Sequence, residues 1–289
     1  MRAQASKQHG RVKVLAASGH ASAQVSQQAW ARVERLAAMA ASDPQLNEAP
    51  DMSINSRPPD TPRRRIYLMR HGAVDYIGAD GVPVRHDTVA LSPDGRAQAT
   101  AAGRMFAEAG VRFDSVLTSG LPRTTETAAL VLAAIGQTLT LRQDERLQEI
   151  RPGSLADMPR DQVGPALLRL FAADADIEAH RFIGGESIGE LLDRVLPAFD
   201  ELLLRTDWQC LLLVLHGAVN RALIGRAMTG GRAFFGRQEQ APACINVIDV
   251  GSADMVVRTT NLVPTDVLQH VERRTTIERL LAQFQGARL

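Results

Sequence analysis

The sequence predicts an α/β protein, a three-layer α/β/α sandwich whose central sheet is mostly parallel. Two observations carry that expectation. From Arg63 onward, short aliphatic runs alternate with segments bearing helix-start signals, the pattern of strands joined by crossover helices. In addition, the tetrapeptide His-Gly-Ala-Val occurs twice, at 71–74 and 216–219, each time directly after an aliphatic run.

The elements follow in order. Residues 65–69 read as the first strand. Ser92-Pro93 pairs an N-cap residue with proline at the first helical position, opening a helix through about Ala109. Residues 114–118 read as a second strand, and Pro122 opens a helix to about Ile135. A third strand is expected near 139–142 and a further helix near 162–173. Ser187 and Glu190 have the spacing of a capping box for a long helix to about Arg205. Residues 210–215 suit a strand buried on both faces, 219–228 a helix, and 245–250 with 255–260 a hairpin at the sheet edge.

Residues 1–62 differ in composition. No acidic residue precedes Glu34, basic residues are scattered among Ala, Ser and Gln, and the stretch up to Pro62 is rich in Pro, Asn, Ser and Asp. Such a segment buries little apolar surface, so it is expected to be a mostly disordered leader and linker, with at most one short helix over 29–41. An acid-poor basic start also occurs in organelle transit peptides, but a sustained Arg-Leu amphipathic face is missing. The expectation is therefore that translation starts later, for example at Met52, and that much of the leader is an extension without function.

The chain has 289 residues, 45% of them apolar but only 4% aromatic, so aliphatic side chains and Ala must fill the core. Two lysines, Lys7 and Lys13, leave arginine to supply the other 31 of 33 basic side chains. Nothing from residue 14 onward can be a P-loop lysine, a Schiff-base lysine or the base of a Ser-Lys dyad. Phosphate would have to be held by Arg, His and backbone N–H groups. A formal net charge of +1 offers no broad field for nucleic acid or an anionic membrane surface. The longest aliphatic run, residues 211–215, is far below the roughly 20 residues that cross a bilayer. Cys210 and Cys244 make neither a disulfide framework nor a metal-ligand set, which implies a reduced, cytoplasmic setting. Composition specifies no oligomeric state.

Each His-Gly-Ala-Val places a histidine just past a strand's C-terminal end, where open α/β sheets bind ligands. If the strands are neighbours, His71 and His216 face one crevice, with Arg70 beside the first. A third strand end carries Thr118-Ser119-Gly120-Leu121-Pro122-Arg123-Thr124. Arg123 then sits in the first turn of a helix, where free N–H groups and the helix dipole already favour an anion. Taken alone, Arg123 is equally a solvated residue paired with Glu126. Together, Arg70, His71, Arg123 and His216 supply nitrogen groups suited to the oxygens of a phosphoryl group.

With these residues the sequence resembles the histidine phosphatase superfamily, also called the phosphoglycerate mutase-like family. The resemblance rests on Arg70-His71-Gly72, on Ser119 to Arg123 with the following Thr-Thr-Glu-Thr, on Leu147-Gln148-Glu149-Ile150, on Gly184-Gly185-Glu186-Ser187 and on His216-Gly217, in that order across about residues 63–260. It implies a phosphoglycerate mutase-like fold and a catalytic domain over 63–289, working without metal or cofactor on a small phosphorylated substrate. His71 is then the nucleophile of a phosphohistidine mechanism. Arg70, Arg123, His216 and Gly217 hold phosphate, and Glu149 is the proton donor.

Elementary electrostatics agrees. An imidazole attacks phosphorus only when neutral, and two guanidinium groups disfavour the charged form of His71. Nearby arginines oppose protonation of Glu149, but a bound phosphate dianion reverses that effect. The competing reading makes Glu149 an ion-pair partner of Arg146 or Arg151. Some family features are altered. Ala73-Val74-Asp75-Tyr76 lacks the Glu, Ser/Thr and Asn contacts of many members, with Asn220 or backbone amides as substitutes. The pattern after Glu149 appears only as Gly153 followed by Ala156-Asp157. A turn plus helix cap explains Gly184 to Ser187, leaving Glu186 in the site as the lesser alternative.

The preferred activity is metal-independent hydrolysis of a small phosphorylated metabolite. Phosphoglycerate mutase-type phosphotransfer is the nearest rival. Mutases of the family carry a longer segment between acid and second histidine, with lysine and paired arginines, whereas 149–216 is short and lysine-free. Arg151, Arg160, Arg169 and Arg181 stay available for an acidic substrate. A protein phosphatase and a non-catalytic phospholigand-binding module are further alternatives. So is a metallophosphatase built on His71, Asp75, His86 and Asp87, although adjacent arginines would repel a divalent cation.

Overall fold

The computed structural model describes residues 62–285 except 79, 81, 155–158 and 170–175. Apart from Pro62, the expected leader lies outside the described residues, as do Ala156 and Asp157. Six strands, β1 (Arg64–Arg70), β2 (Ser115–Thr118), β3 (Arg142–Gln143), β4 (Cys210–Leu215), β5 (Ile245–Val250) and β6 (Met255–Leu262), form one sheet in the order β3-β2-β4-β1-β5-β6. The ladders β3-β2, β2-β4 and β4-β1 are parallel. The β5-β6 hairpin is antiparallel and joins β1 antiparallel, closing one edge as expected.

Among the described residues six α-helices accompany the sheet: α1 (Pro93–Glu108), α2 (Pro122–Ile135), α3 (Arg160–Arg169), α4 (Ile188–Leu204), α5 (Gly217–Thr229) and α6 (Thr276–Gln285). Strand alternation divides the core between two faces. Leu211, Leu213 and Leu215 of β4, with Ile66 and Leu68 of β1, pack against α4 and α5. Leu212 and Val214, with Met69, pack against α1 and α2. All eight side chains are fully buried. Cover on both faces explains why β4 is an unbroken aliphatic run rather than an alternating one. Trimming one of them, as in Leu213→Ala, would cost about 2–5 kcal/mol.

Local chemistry sets the helix starts. Ser92 accepts from Gly95 N–H ahead of Pro93. At α4 both arms of the capping box form, Ser187 Oγ accepting from Glu190 N–H and the Glu190 carboxylate from Ser187 N–H. The apolar residues Ile188, Leu191, Leu192, Val195, Phe199 and Leu202 then recur at helical spacing and are buried.

The structure departs from the expected elements at three places. The third strand shrinks to two residues, because β3 meets only the end of β2, Leu117 opposite Arg142 and Thr118 opposite Gln143. Leu139 and Leu141 pack into the core from a loop instead. The helix expected near 162–173 is present over Arg160–Arg169, and residues 170–173 lie outside the described residues. The helix expected at 219 starts at Gly217, with His216 as its N-cap. Finally, α6 was not anticipated. Its signals exist: Thr275 and Glu278 exchange cap hydrogen bonds, and Ile277, Leu280, Leu281 and Phe284 repeat at helical spacing and pack together with Leu167 and Ile183. No helix among the described residues is long and apolar enough to cross a membrane.

Candidate active site

Three consecutive strands of the sheet, β1, β4 and β2, present their C-terminal ends side by side. The β1-β4 register sets Arg70 opposite Leu215, so His71 and His216 emerge at one level. Their rings meet edge to face with centroids 5.3 Å apart. On the far side of β4, β2 ends at Thr118, followed by Ser119 and the first turn of α2.

His71 is 1% exposed. Its Nδ1 lies 2.7 Å from the Gly72 carbonyl oxygen. A carbonyl only accepts, so Nδ1 carries the proton and Nε2 the lone pair. Burial, reinforced by Arg123 and then Arg70, pushes the ring well below the usual histidine range, against a small opposing effect of the Gly72 carbonyl. Burial and the two arginines both favour the neutral ring. Gly72 permits the arrangement: a Cβ there would lie 2.3 Å from the Gly95 carbonyl oxygen, inside the first turn of α1. Gly72 N–H donates to Thr127 Oγ1 at 3.1 Å, and Thr127 donates to Arg123 O at 2.7 Å, tying the loop to α2.

Arg70 and Arg123 are both buried. Arg70 Nη1 donates to Gln240 O at 2.6 Å and to Thr276 Oγ1 at 3.1 Å. Arg123 Nη1 donates to His86 O at 2.5 Å. The solvated Arg123–Glu126 pair does not form, since Glu126 is taken by Arg96. His216 is fully enclosed, its Nε2 2.7 Å from Ser119 Oγ. Burial first, then Arg123, His71, Arg70 and Arg194, push its ring well below the usual range. Among the described residues, Arg70 Nε, His71 Nε2, Arg123 Nε and His216 Nδ1 are all buried and lack a hydrogen-bond partner. Buried polar atoms are rarely left so in a native fold; the two guanidinium N–H groups suit an oxyanion, and the His71 lone pair lies beside them.

A cavity of about 370 Å³ opens over this group, with Arg70, His71, Arg123, Glu149 and Gly217 in its lining; His216 sits behind it. The Glu149 carboxylate accepts from Ala218 N–H, at 3.2 Å for Oε1 and 3.4 Å for Oε2, at the start of α5, and from Ile150 N–H at 3.0 Å. Arg146 pairs instead with Asp144 and Glu201. Gly217 marks where the groups converge: a Cβ there would lie 3.2 Å from Arg221 Nη1, 3.6 Å from Arg70 Nε and 3.7 Å from Glu149 Oε2.

Several residues in or behind the candidate site escaped sequence reasoning. Arg194 grips Glu186 with Nε and Nη2, at 2.7 and 2.8 Å, and donates to the carbonyls of Arg146, Gln148 and Glu149. It clamps the Glu149 loop from behind, and it is where Glu186 points rather than into the cavity. Arg221 is 3% exposed and lines the cavity. Its Nη1 donates to Gly217 O at 3.0 Å, and burial lowers its pKa to about 10. Its place one helical turn after Gly217 was the available signal. Ser119 was read as part of a motif, not as the partner of His216.

Other candidates fall away from the site. Asn220 is buried outside the lining, donating to Gln240 Oε1. Arg151, Arg169 and Arg181 do not line the cavity, and Arg181 is paired with Glu190; the side chain of Arg160 lies outside the described residues. Asp87 is engaged by Arg85, and among the described residues no three His, Cys, Asp or Glu side chains gather as a metal-ligand set.

Comparison with known proteins locates this arrangement. The model of the histidine phosphatase superfamily (branch 1) matches residues 66–263. The chain is 36% identical over 168 residues to a 2,3-bisphosphoglycerate-dependent phosphoglycerate mutase of Methylobacterium sp. (strain 4-46), covering 56% of this chain and 79% of the relative. It is 32% identical over 170 residues to a glucosyl-3-phosphoglycerate phosphatase of Mycolicibacterium vanbaalenii, covering 55% and 72%. The alpha-ribazole phosphatase of Shigella flexneri superposes with a TM-score of 0.51 at 25% identity, over 68% of this chain and 96% of that one.

Proposed function

Since the chain belongs to the histidine phosphatase superfamily, we propose that it is a metal-independent phosphatase hydrolysing a small phosphorylated metabolite through a phosphohistidine intermediate. The observation that carries this reading is the state of His71: a buried neutral ring, anchored through Nδ1–H on Gly72 O, with Nε2 unpaired beside two guanidinium groups.

Nε2 attacks phosphorus while the bond from phosphorus to the alcohol oxygen breaks. Arg70, Arg123, His216 and the N–H of Gly217 hold the equatorial oxygens, where charge must be neutralised during transfer. A bound dianion favours a proton on both nitrogens of His216, so Nδ1 donates to phosphate while Nε2–H rests on Ser119. Glu149 gives its proton to the leaving oxygen. It then takes one from the water that attacks the phosphohistidine, releasing inorganic phosphate and restoring His71.

The named relatives divide between mutase and phosphatases. Hydrolysis is favoured by the short, lysine-free segment 149–216 and by a cavity lining that does not include Arg151, Arg169 or Arg181. The unpaired thiols Cys210 and Cys244 suit a cytoplasmic enzyme. The catalytic domain is proposed to be 63–289, so deleting residues 1–51 should leave kcat/KM intact; a large loss would assign the leader a role.

The test is turnover of an aryl phosphate in EDTA. Wild type should release inorganic phosphate and form an acid-labile phosphoenzyme, and His71→Ala should do neither. Full activity in that variant, or loss of wild-type activity to EDTA alone, would sink the mechanism. Isomerised phosphoglycerate in place of inorganic phosphate would make the chain a mutase.

A further inference from the structure

Resting on the phosphatase reading of this site, we propose that the substrate carries a sizeable apolar body on its phosphate, gripped by helix α6 and the loop after β1, and carries no second anionic group. The cavity has two chemically distinct zones. Its floor holds the unpartnered nitrogens of Arg70, His71 and Arg123. Its walls are largely apolar: α6 contributes Ile277, Leu280 and Phe284, and the loop after β1 contributes Val74, Tyr76 and Val84. At about 370 Å³ the space falls in the range of roughly 300–1,000 Å³ that takes a drug-sized organic ligand.

The remaining wall arginines already have acidic neighbours. Arg85 makes two hydrogen bonds to Asp87, at 3.1 and 2.6 Å. Arg221 lies 3.7 Å from Glu239 and Arg279 3.9 Å from Glu272. A carboxylate or second phosphate would compete with these acids while leaving the apolar walls in water.

The helix is built into the site rather than laid over it. Thr276, its first residue, accepts from Arg70 Nη1 and donates through both N–H and Oγ1 to Glu239 Oε1. The phosphate-binding arginine and the apolar wall are thereby held in register. The same apolar residues of α6, with Leu281, also pack with Leu167 of α3.

The experiment is a series of ethyl, butyl and hexyl phosphates with the full chain, because their leaving alcohols have similar basicity and differ in apolar area. We expect kcat/KM to rise about threefold per methylene, roughly 80-fold from ethyl to hexyl. 3-Phosphoglycerate should fall at least about tenfold below hexyl phosphate. Phe284→Ser should flatten the series. Should that variant unfold, Val84→Ser on an exposed loop should flatten it less without disturbing α6. Turnover without any chain-length dependence, or a preference for 3-phosphoglycerate, overturns the proposal and leaves the phosphatase reading standing. Absence of turnover with hexyl phosphate still binding more tightly than ethyl phosphate keeps the apolar site and overturns the phosphatase reading. Absence of both turnover and binding overturns the two together.

Discussion

The segments 71–74 and 216–219 share all four residues and follow neighbouring parallel strands, yet only the second enters a helix. Around the first, other elements consume the backbone. Gly72 N–H goes to Thr127, Ala73 N–H to Gln98 Oε1, and Ala73 O receives both Ser92 N–H and Ser92 Oγ. Val74 joins a small cluster with Val89 and Leu91. Around the second, Ala218 and Val219 bury in the main core and Asn220 N–H closes onto His216 O. The rings differ in the same way: His71 is held through Nδ1 by a carbonyl, His216 through Nε2 by a hydroxyl. Identical local sequence therefore yields two differently anchored rings, which the proposed mechanism uses as a nucleophile and a phosphate holder, because the partners differ.

Substituting each histidine tests that division most severely. His71→Ala should lower kcat by about 10⁴-fold or more, with no phosphoenzyme. His216→Ala should cost about 10²–10³-fold while phosphoenzyme still accumulates slowly, as for loss of one charge-stabilising donor. Equal losses, or a phosphoenzyme surviving in His71→Ala, would break the comparison.

A smaller effect sharpens it. Ser119→Ala removes the anchor of His216 alone and should cost about tenfold in kcat/KM. The pH profile of phosphoenzyme formation should stay that of wild type, since His71 keeps its carbonyl anchor; a shifted profile would show Ser119 acting on the nucleophile.

The smallest effect concerns proton linkage. Both rings sit well below the ordinary histidine range in the folded state, so below a pH of about 6.5 the unfolded chain binds protons that the folded chain does not. Stability should fall as pH drops from about 7 towards 5. A melting series in which His71→Gln loses less than wild type over that window supports this; identical slopes refute it.

Much of the site was legible because its parts hang on local signals. Arg70 and His71 end a strand, Arg123 follows a proline that starts a helix, and His216 ends an aliphatic run. Glu149 was legible only through resemblance, for no local pattern distinguishes it from Arg146's or Arg151's partner. The start of α5 has the same root: no local signal separates the second His-Gly-Ala-Val from the first, and burial of Ala218 and Val219 in the core carries the helix back to Gly217.

By itself the sequence determined the strand-helix alternation, the helix caps and the strand ends that carry Arg70, His71 and His216. These depend on burial periodicity and on side chains within a few residues of the backbone they cap. Tertiary structure alone decided which histidine nitrogen is left unpaired, that Arg194 clamps the Glu149 loop, and that α6 walls the cavity. Those facts rest on contacts such as Arg70 to Thr276, 206 residues apart, whose geometry no local pattern encodes.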